Sequence, residues 1–368
     1  MQISMFDGEK PFKIEKPIRL ISLFSGYDSQ ALALKYLGVP FEHYKTCEWA
    51  IPSIQALKDL HFDYDNDDYS WGLSKADLID ILYRKGVSSD YNQPLTKAQL
   101  SRYGENKLRG IFNNIIATHN LVSICNIKGE DLEIKNTDKY QYIMTYSFPC
   151  QDLSAAGLGK GMAKGSGTRS GLLWEVERLL KETAELPQVL LMENVKQVVG
   201  NKNIKDFSEW VSVLDKLGYH SKWQVINATN FGIPQNRERC FMVSVLGNHY
   251  FEFSKPIGCN LKLKDLLENN VAQNYYISEK LLETYFNRNV INAERGNGFK
   301  FEPTNGGGDS ELTPYEKRDS PVRQLHTGII VSEKGRKLGK CTDTARTLMA
   351  RDYKGFGNQE MTGVIEWK

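Results

Sequence analysis

Between residues 18 and 246 the apolar and polar positions alternate between two rhythms. Short runs dense in Ile, Val, Leu, Tyr and Phe predict strands at "IRLISLF" (18–24), "FEHYKTCEW" (41–49), "YQYIMTY" (140–146), "QVLLMEN" (188–194), "YHSKWQVIN" (219–227) and "RCFMVSVL" (239–246). Between several of them apolar residues recur at three- and four-residue spacing. This predicts helices over "SQALALKYLG", closed by Gly38, over "GLLWEVERLLKETAEL" (171–186) and over "IKDFSEWVSVLDKLG" (204–218). Strands alternating with helices imply an α/β fold, a mostly parallel sheet with helices on both faces. The last two strands flank the turn "ATNFGIPQNRE", which predicts an antiparallel pair at that edge.

The rhythm breaks twice. Residues about 60–125 are polar and partly helical ("KADLIDILYRKG", "TKAQLSRYGENKLRGIFNNIIATHN") and read as an insertion. After 250 the alternation stops, and "GNGFKFEP" and "TNGGGDSE" mark irregular, Gly-rich backbone. The expected organisation is a first domain over 1–250, carrying the insertion, and a smaller, irregular second domain over 251–368. No apolar run is long enough to span a membrane, and the N-terminus shows no secretory pattern, so the expectation is a cytoplasmic protein without a membrane partner.

Charge and metal-ligating residues narrow the function classes. The six cysteines (47, 125, 150, 240, 259, 341) are scattered, and the six histidines form no H-x-H or H-E-x-x-H pattern, so no metal is expected. Net charge is only +2, but residues 318–354 carry nine Lys/Arg against four Asp/Glu. That segment is a usable phosphate-binding face, or simply a solvated one. By contrast "DLHFDYDNDDY" (59–69) is acidic.

Four sites stand at predicted strand ends. Gly26 in "LFSGYDSQALALKYLG" makes a strand–turn–helix cradle suited to a nucleotide-like ligand, and Glu48, 22 residues on, is an acid placed to accept hydrogen bonds from ribose hydroxyls. A glycine turn beside a surface glutamate is the plainer alternative. Pro149-Cys150-Gln151 follows a strand and opens a loop of small residues, "SAAGLGKGMAKGSGTRSG", suited to closing over a substrate. On the cysteine alone, a buried apolar role is the commoner one. Glu193 and Asn194 end "LLMENV", where a carboxylate can hold or give a proton. In "PQNRERCFMV", Arg237 and Arg239 alternate and would share a face if the segment is extended, able to bind a carbonyl or a phosphate.

In this order F-x-G, E-W, P-C-Q, E-N-V and Q-x-R-x-R resemble the motif series of the C5-cytosine-specific DNA methyltransferases, over residues 18–246 and more loosely after 340. The resemblance implies a Rossmann-like methyltransferase fold with a target-recognition domain. It also implies S-adenosylmethionine as cofactor, S-adenosylhomocysteine as product, and double-stranded DNA as partner. Phe24, Ser25, Gly26 and Ser29 match the cofactor turn, Glu48 the ribose acid and Trp49 the adenine neighbour. Asn126-Ile127, Pro149 and Leu172 match further pocket positions. Asp28-Ser29 stands where the family has a second glycine pair.

Cys150 matches the nucleophile that adds to cytosine C6, Glu193 the group at N3, Arg239 the group at O2; Arg237 and Asn194 support the base and the loop. Gln151, Ser154 and Arg169 fall where the closing loop meets DNA, with a flipped base in the pocket. Thr347-Leu348 in "TARTLMARDYKGFGN" matches the segment after the recognition region. The chain stops at "GVIEWK", before the family's "LTPRE…GFP" and "GNS" helices; "LTPYE" (312–316) lies too early, and "GFGN", with Asn358, aligns better as the tail of the recognition region. The main reading is therefore a bacterial or phage-encoded methyltransferase serving restriction–modification or phage protection, with a second polypeptide supplying those elements. The alternatives are a tRNA cytosine methyltransferase and a non-catalytic DNA-binding subunit.

Overall fold

In the computed structural model the six apolar runs form one six-stranded sheet. The structure describes residues 10–153, 160–266 and 287 and the short strands at 328–333, 337–338, 345–346 and 362–365. The sheet strands are β1 (Ile18–Leu23), β2 (Phe41–Cys47), β3 (Gln141–Tyr146), β4 (Val189–Val195), β5 (Tyr219–Asn227) and β6 (Glu238–Leu246). Their spatial order is β2-β1-β3-β4-β6-β5. The first four are parallel, and β6 runs antiparallel to β4. The α/β expectation holds, with the direction reversal at the expected edge.

Residue parity sorts side chains between the two faces, because successive side chains of a strand point to opposite sides. Ile18 and Leu20 of β1 and Ile143 of β3 face α1 (Ser29–Tyr36), whose Ala31 and Leu34 pack on them. Ile21 and Leu23 of β1, with Tyr142, Met144 and Tyr146 of β3, belong to the larger core on the other face. That core takes Trp174 and Leu179 from the helix Leu173–Glu182 and Phe207, Trp210 and Leu214 from the helix Ile204–Lys216. Central β3 is buried along its whole length.

The stretch between β2 and β3 builds a separate core. Helices α2 (Ile51–His61), α3 (Lys75–Lys85) and α4 (Glu105–Ala117) bring together Ile54, Leu78, Leu82, Leu108, Ile111 and Ile115. Ser74 and Asp77 form a reciprocal capping box at the start of α3, and Gly86 closes it at φ 77°, the left-handed conformation that favours glycine. α2 was not anticipated: its C-terminal turn lies in the stretch read as an acidic run, although Ile54, Leu57, Lys58 and His61 are buried at helical spacing.

The chain divides into two compact units, one of residues 1–225 with 239–253 and the other of 226–238 with 254–368. Within the second, Gly328–Glu333 pairs antiparallel with Lys337–Leu338 and with Thr362–Ile365, and Ala345–Arg346 pairs parallel with Gln235–Asn236.

Trp210 is fully buried, donates its indole N–H to Tyr146 Oη (3.0 Å) and meets the Tyr146 and Trp174 rings edge-on. Trp210→Ala should cost about 3–5 kcal/mol, read as a lowered denaturant midpoint; a change below about 1 kcal/mol would contradict this packing.

Candidate active site

The turn after β1 is held in an unusual backbone shape. Phe24, Gly26 and Asp28 lie at φ 54°, 56° and 55°, so left-handed residues alternate with ordinary ones. Such conformations cost non-glycine residues on the order of 1–2 kcal/mol and persist only when surrounding bonds impose them. Here Ser25 N–H donates to Cys47 O (3.2 Å) and Asp28 N–H to Ser25 O (2.8 Å).

Glu48 completes the hold: Gly26 N–H donates to its Oε2 (2.9 Å) and Ala50 N–H to its Oε1 (2.7 Å). Asn120 clamps Glu48 in turn. It accepts from the N–H groups of Glu48 (3.0 Å) and Val122 (2.8 Å) and donates to Glu48 O (3.0 Å). Burial pushes the Glu48 carboxyl above the usual range, and the backbone N–H groups offset part of that.

The cradle has room and an unused polar group. A Cβ added at Gly26 would meet nothing within 4 Å, and the buried Ser25 Oγ has no hydrogen-bond partner among the described residues. A buried hydroxyl lacking a partner beside open space fits a polar ligand lying over the turn. Ser29 is the exposed first residue of α1. Trp49 packs partly against the helical core, and its carbonyl accepts from Ser88 N–H (2.7 Å). Leu172 packs partly against the main core. Asn126 is exposed and donates to Arg84 O (3.1 Å), while Ile127 is buried in the main core. Sequence reasoning missed Asn120, whose surroundings "THNLV" carry no distinguishing signal.

At the neighbouring strand ends the register decides which side chains meet. Tyr146 of β3 pairs with Met192 of β4, so Ser147 follows beside Glu193 and donates to its Oε2 (2.8 Å). Across β4 and β6, Glu193 pairs with Phe241 and Val195 with Arg239, which makes Glu193 and Arg239 diagonal neighbours on one face. Arg239 Nε lies 3.1 Å from Glu193 Oε1, and the two side chains are only 18% and 15% exposed. Ser147 was overlooked, although it is the polar residue that ends the apolar run before Cys150.

Three hydrogen bonds shape the segment that carries Cys150. Buried Asn194 donates through Nδ2 to Phe148 O (2.9 Å), Ser170 Oγ donates to Pro149 O (2.6 Å), and Leu153 N–H donates to Cys150 O (3.0 Å). Asp152 ties the loop's feet: its Oδ2 accepts from Arg169 N–H (2.8 Å), and its carbonyl accepts from Gly161 N–H (3.1 Å). Gln151 is exposed at the root of this loop, and Arg169 donates through Nη2 to Asn92 Oδ1 (2.6 Å). Ser154, Thr347 and Leu348 lie outside the described residues.

Cys150 is half-buried. Cys47 and Cys240 are core residues whose thiols burial pushes up, that of Cys240 to about 12, so neither forms a thiolate readily at neutral pH. Arg237 N–H donates to Gln235 O (2.9 Å) and to Asn227 Oδ1 (3.2 Å), and β6 opens directly after it with Glu238.

Asn120→Ala should destabilise the chain by about 1–3 kcal/mol, because two N–H groups and one carbonyl lose their partner. Chemical denaturation reads this directly, and an unchanged midpoint would mean that the clamp is dispensable.

Residues 96–357 match the model of the C-5 cytosine-specific DNA methylase family. The chain is 36% identical over 261 residues to the orphan methyltransferase M.SssI of Spiroplasma monobiae, covering 70% of this chain and 67% of that relative. It is 33% identical over 276 residues to the type II methyltransferase M2.ScrFI of Lactococcus lactis subsp. cremoris, covering 73% and 74%. With the type II methyltransferase M.NlaX of Neisseria lactamica it shares 39% identity over 160 residues, 43% of this chain and 50% of the relative. A parallel sheet with one reversed strand, a cradle at one strand end and a cysteine loop at another accord with these matches: the chain belongs to the C-5 cytosine-specific DNA methylase family.

Proposed function

We propose that Cys150 is the nucleophile of this DNA cytosine-5 methyltransferase, with Glu193 and Arg239 binding the target base. The observation that carries this reading is Glu193 gripped by Arg239 and Ser147 at the end of β4, beside the end of β3 from which the Cys150 segment departs. Free cytosine C5 is a weak nucleophile. Addition of the Cys150 thiolate to C6 makes the ring an enamine, and loss of the C5 proton after methylation expels the thiolate and restores aromaticity. Negative charge develops toward N3 and O2 during addition. Glu193 holds or protonates N3, and Arg239 binds O2; both are already fixed by the protein and need little reorganisation. Ser147 limits the swing of the Glu193 carboxylate, and Asn194 fixes the peptide ahead of Cys150.

S-adenosylmethionine supplies the methyl group as an electrophile when bound. Gly26 with its open space, the Ser25 hydroxyl, Glu48 and Trp49 are the residues that would hold it. A target base inside duplex DNA must be flipped out to reach Cys150. The second unit, with the basic segment 318–354 and Thr347-Leu348, is read as the part that meets DNA. Two of the relatives described above are named type II methyltransferases, which supports a place in restriction–modification, in the cytoplasm of a bacterium or of a phage-infected cell. The family match favours DNA over tRNA as substrate.

The test is transfer of labelled methyl from S-adenosylmethionine to duplex DNA and to tRNA in parallel. Label should enter C5 of cytosine in DNA and not tRNA; label in tRNA alone would overturn the substrate. Cys150→Ala should abolish transfer. Ser147→Ala should lower kcat about tenfold with cofactor affinity unchanged, as expected for loss of one bond that orients an acid–base group; an unchanged kcat would remove Ser147 from the account.

A further inference from the structure

The residue that breaks the family's glycine pattern has a partner network of its own. Asp28 is fully buried in the left-handed conformation. Its Oδ1 accepts from Ala31 N–H (3.2 Å), capping α1, and its Oδ2 lies 3.1 Å from His43 Nε2 on β2. The His43 ring is packed by Phe41 (5.0 Å), Phe62 (5.0 Å) and His61 (4.9 Å between centroids). His61, from α2, donates through Nε2 to Tyr27 O (2.8 Å). That carbonyl must be given a proton, so Nε2 carries it, and the buried Nδ1, which has no partner, is bare. Burial also holds His61 below the usual histidine value, which keeps it in this neutral form at pH 7.

These contacts hold the same turn as Glu48 does, through other groups. Glu48 fixes the N–H of Gly26, His61 fixes the carbonyl of Tyr27, and His43 fixes the side chain of Asp28. A glycine at 28 would adopt the same φ without strain but could make neither the helix cap nor the bond to His43. The sequence therefore trades conformational freedom for side-chain bonds at the point where backbone approaches the ligand.

We propose that Asp28, His43 and His61 are positioning residues that preset the turn Ser25–Asp28 for the methionine end of S-adenosylmethionine, an inference that rests on the cofactor reading above. Preorganisation of this kind shows in affinity, because the bound shape need not be ordered at the moment of binding. His43→Leu leaves the helix cap intact and removes the bond to Asp28 together with the ring contacts, while His43→Gln loses the ring contacts but keeps a donor for Asp28.

The experiment is calorimetric titration of S-adenosylhomocysteine into the full chain, without DNA or turnover. His43→Leu should weaken binding about tenfold, in keeping with loss of a hydrogen bond to a carboxylate. His43→Gln, which keeps a donor, should stay within about threefold of wild type. Asp28→Gly, which relieves the backbone, should also bind about tenfold more weakly, and it serves where His43→Leu does not fold. In the methylation assay His43→Leu should raise the KM for the cofactor and leave kcat at saturation unchanged. Wild-type binding with unchanged affinity in His43→Leu and Asp28→Gly would overturn this inference alone. Equal weakening in His43→Leu and His43→Gln would also overturn it, since the bond would not be the cause. Absence of binding by the wild-type chain would overturn the cofactor reading and this inference with it.

Discussion

A largely buried carboxylate must be shared by partners from both sides, and Glu193 meets that demand at the end of β4. Arg239 reaches one oxygen from β6 and Ser147 the other from the segment after β3. Removing either partner would leave charge or lone pairs unmatched in a place that water scarcely reaches. The arrangement depends on strand register. A slip of one residue between β4 and β6 would send Arg239 to the opposite face, because side-chain direction alternates along a strand. The reversal of β6 thus places the ion pair, and the parallel register of β3 with β4 sets Ser147, three residues before Cys150, beside Glu193.

The cofactor cradle obeys the same logic at the next strands. Three left-handed residues in five would not persist in an isolated turn. They are imposed by Glu48 from the end of β2, which Asn120 clamps from beyond α4. Both halves of the site therefore lie past the C-terminal ends of parallel strands, where open α/β sheets bind their ligands. Helix packing on the two faces keeps these ends in register: Ile18 and Leu20 against α1, Tyr146 against Trp210.

Much of this was legible in the sequence because it follows from local periodicity. All six strands and the helices over 29–36, 173–182 and 204–216 lie where the apolar runs put them, and the reversed edge follows from the tight turn before β6. Three features were not legible. Asn120 and Ser147 act through single side-chain bonds between segments distant in sequence, which leave no periodic trace. The role of Asp28 became visible only through His43, fifteen residues away on another strand. Motif spacing names the residues at a site; the bonds that orient them come from the fold.

The central claim is that the strand end carrying Cys150 presents it as the nucleophile toward C6 of a flipped cytosine. The most direct measurement uses duplex DNA with 5-fluorocytosine at the target position, incubated with the chain and S-adenosylmethionine, then digested for mass spectrometry. Fluorine cannot leave C5 as a proton does, so the thioether at C6 persists. The account predicts DNA attached to the peptide containing Cys150. Attachment at another residue, Cys125 for example, or no adduct with a duplex that the chain methylates when it carries ordinary cytosine, would contradict it.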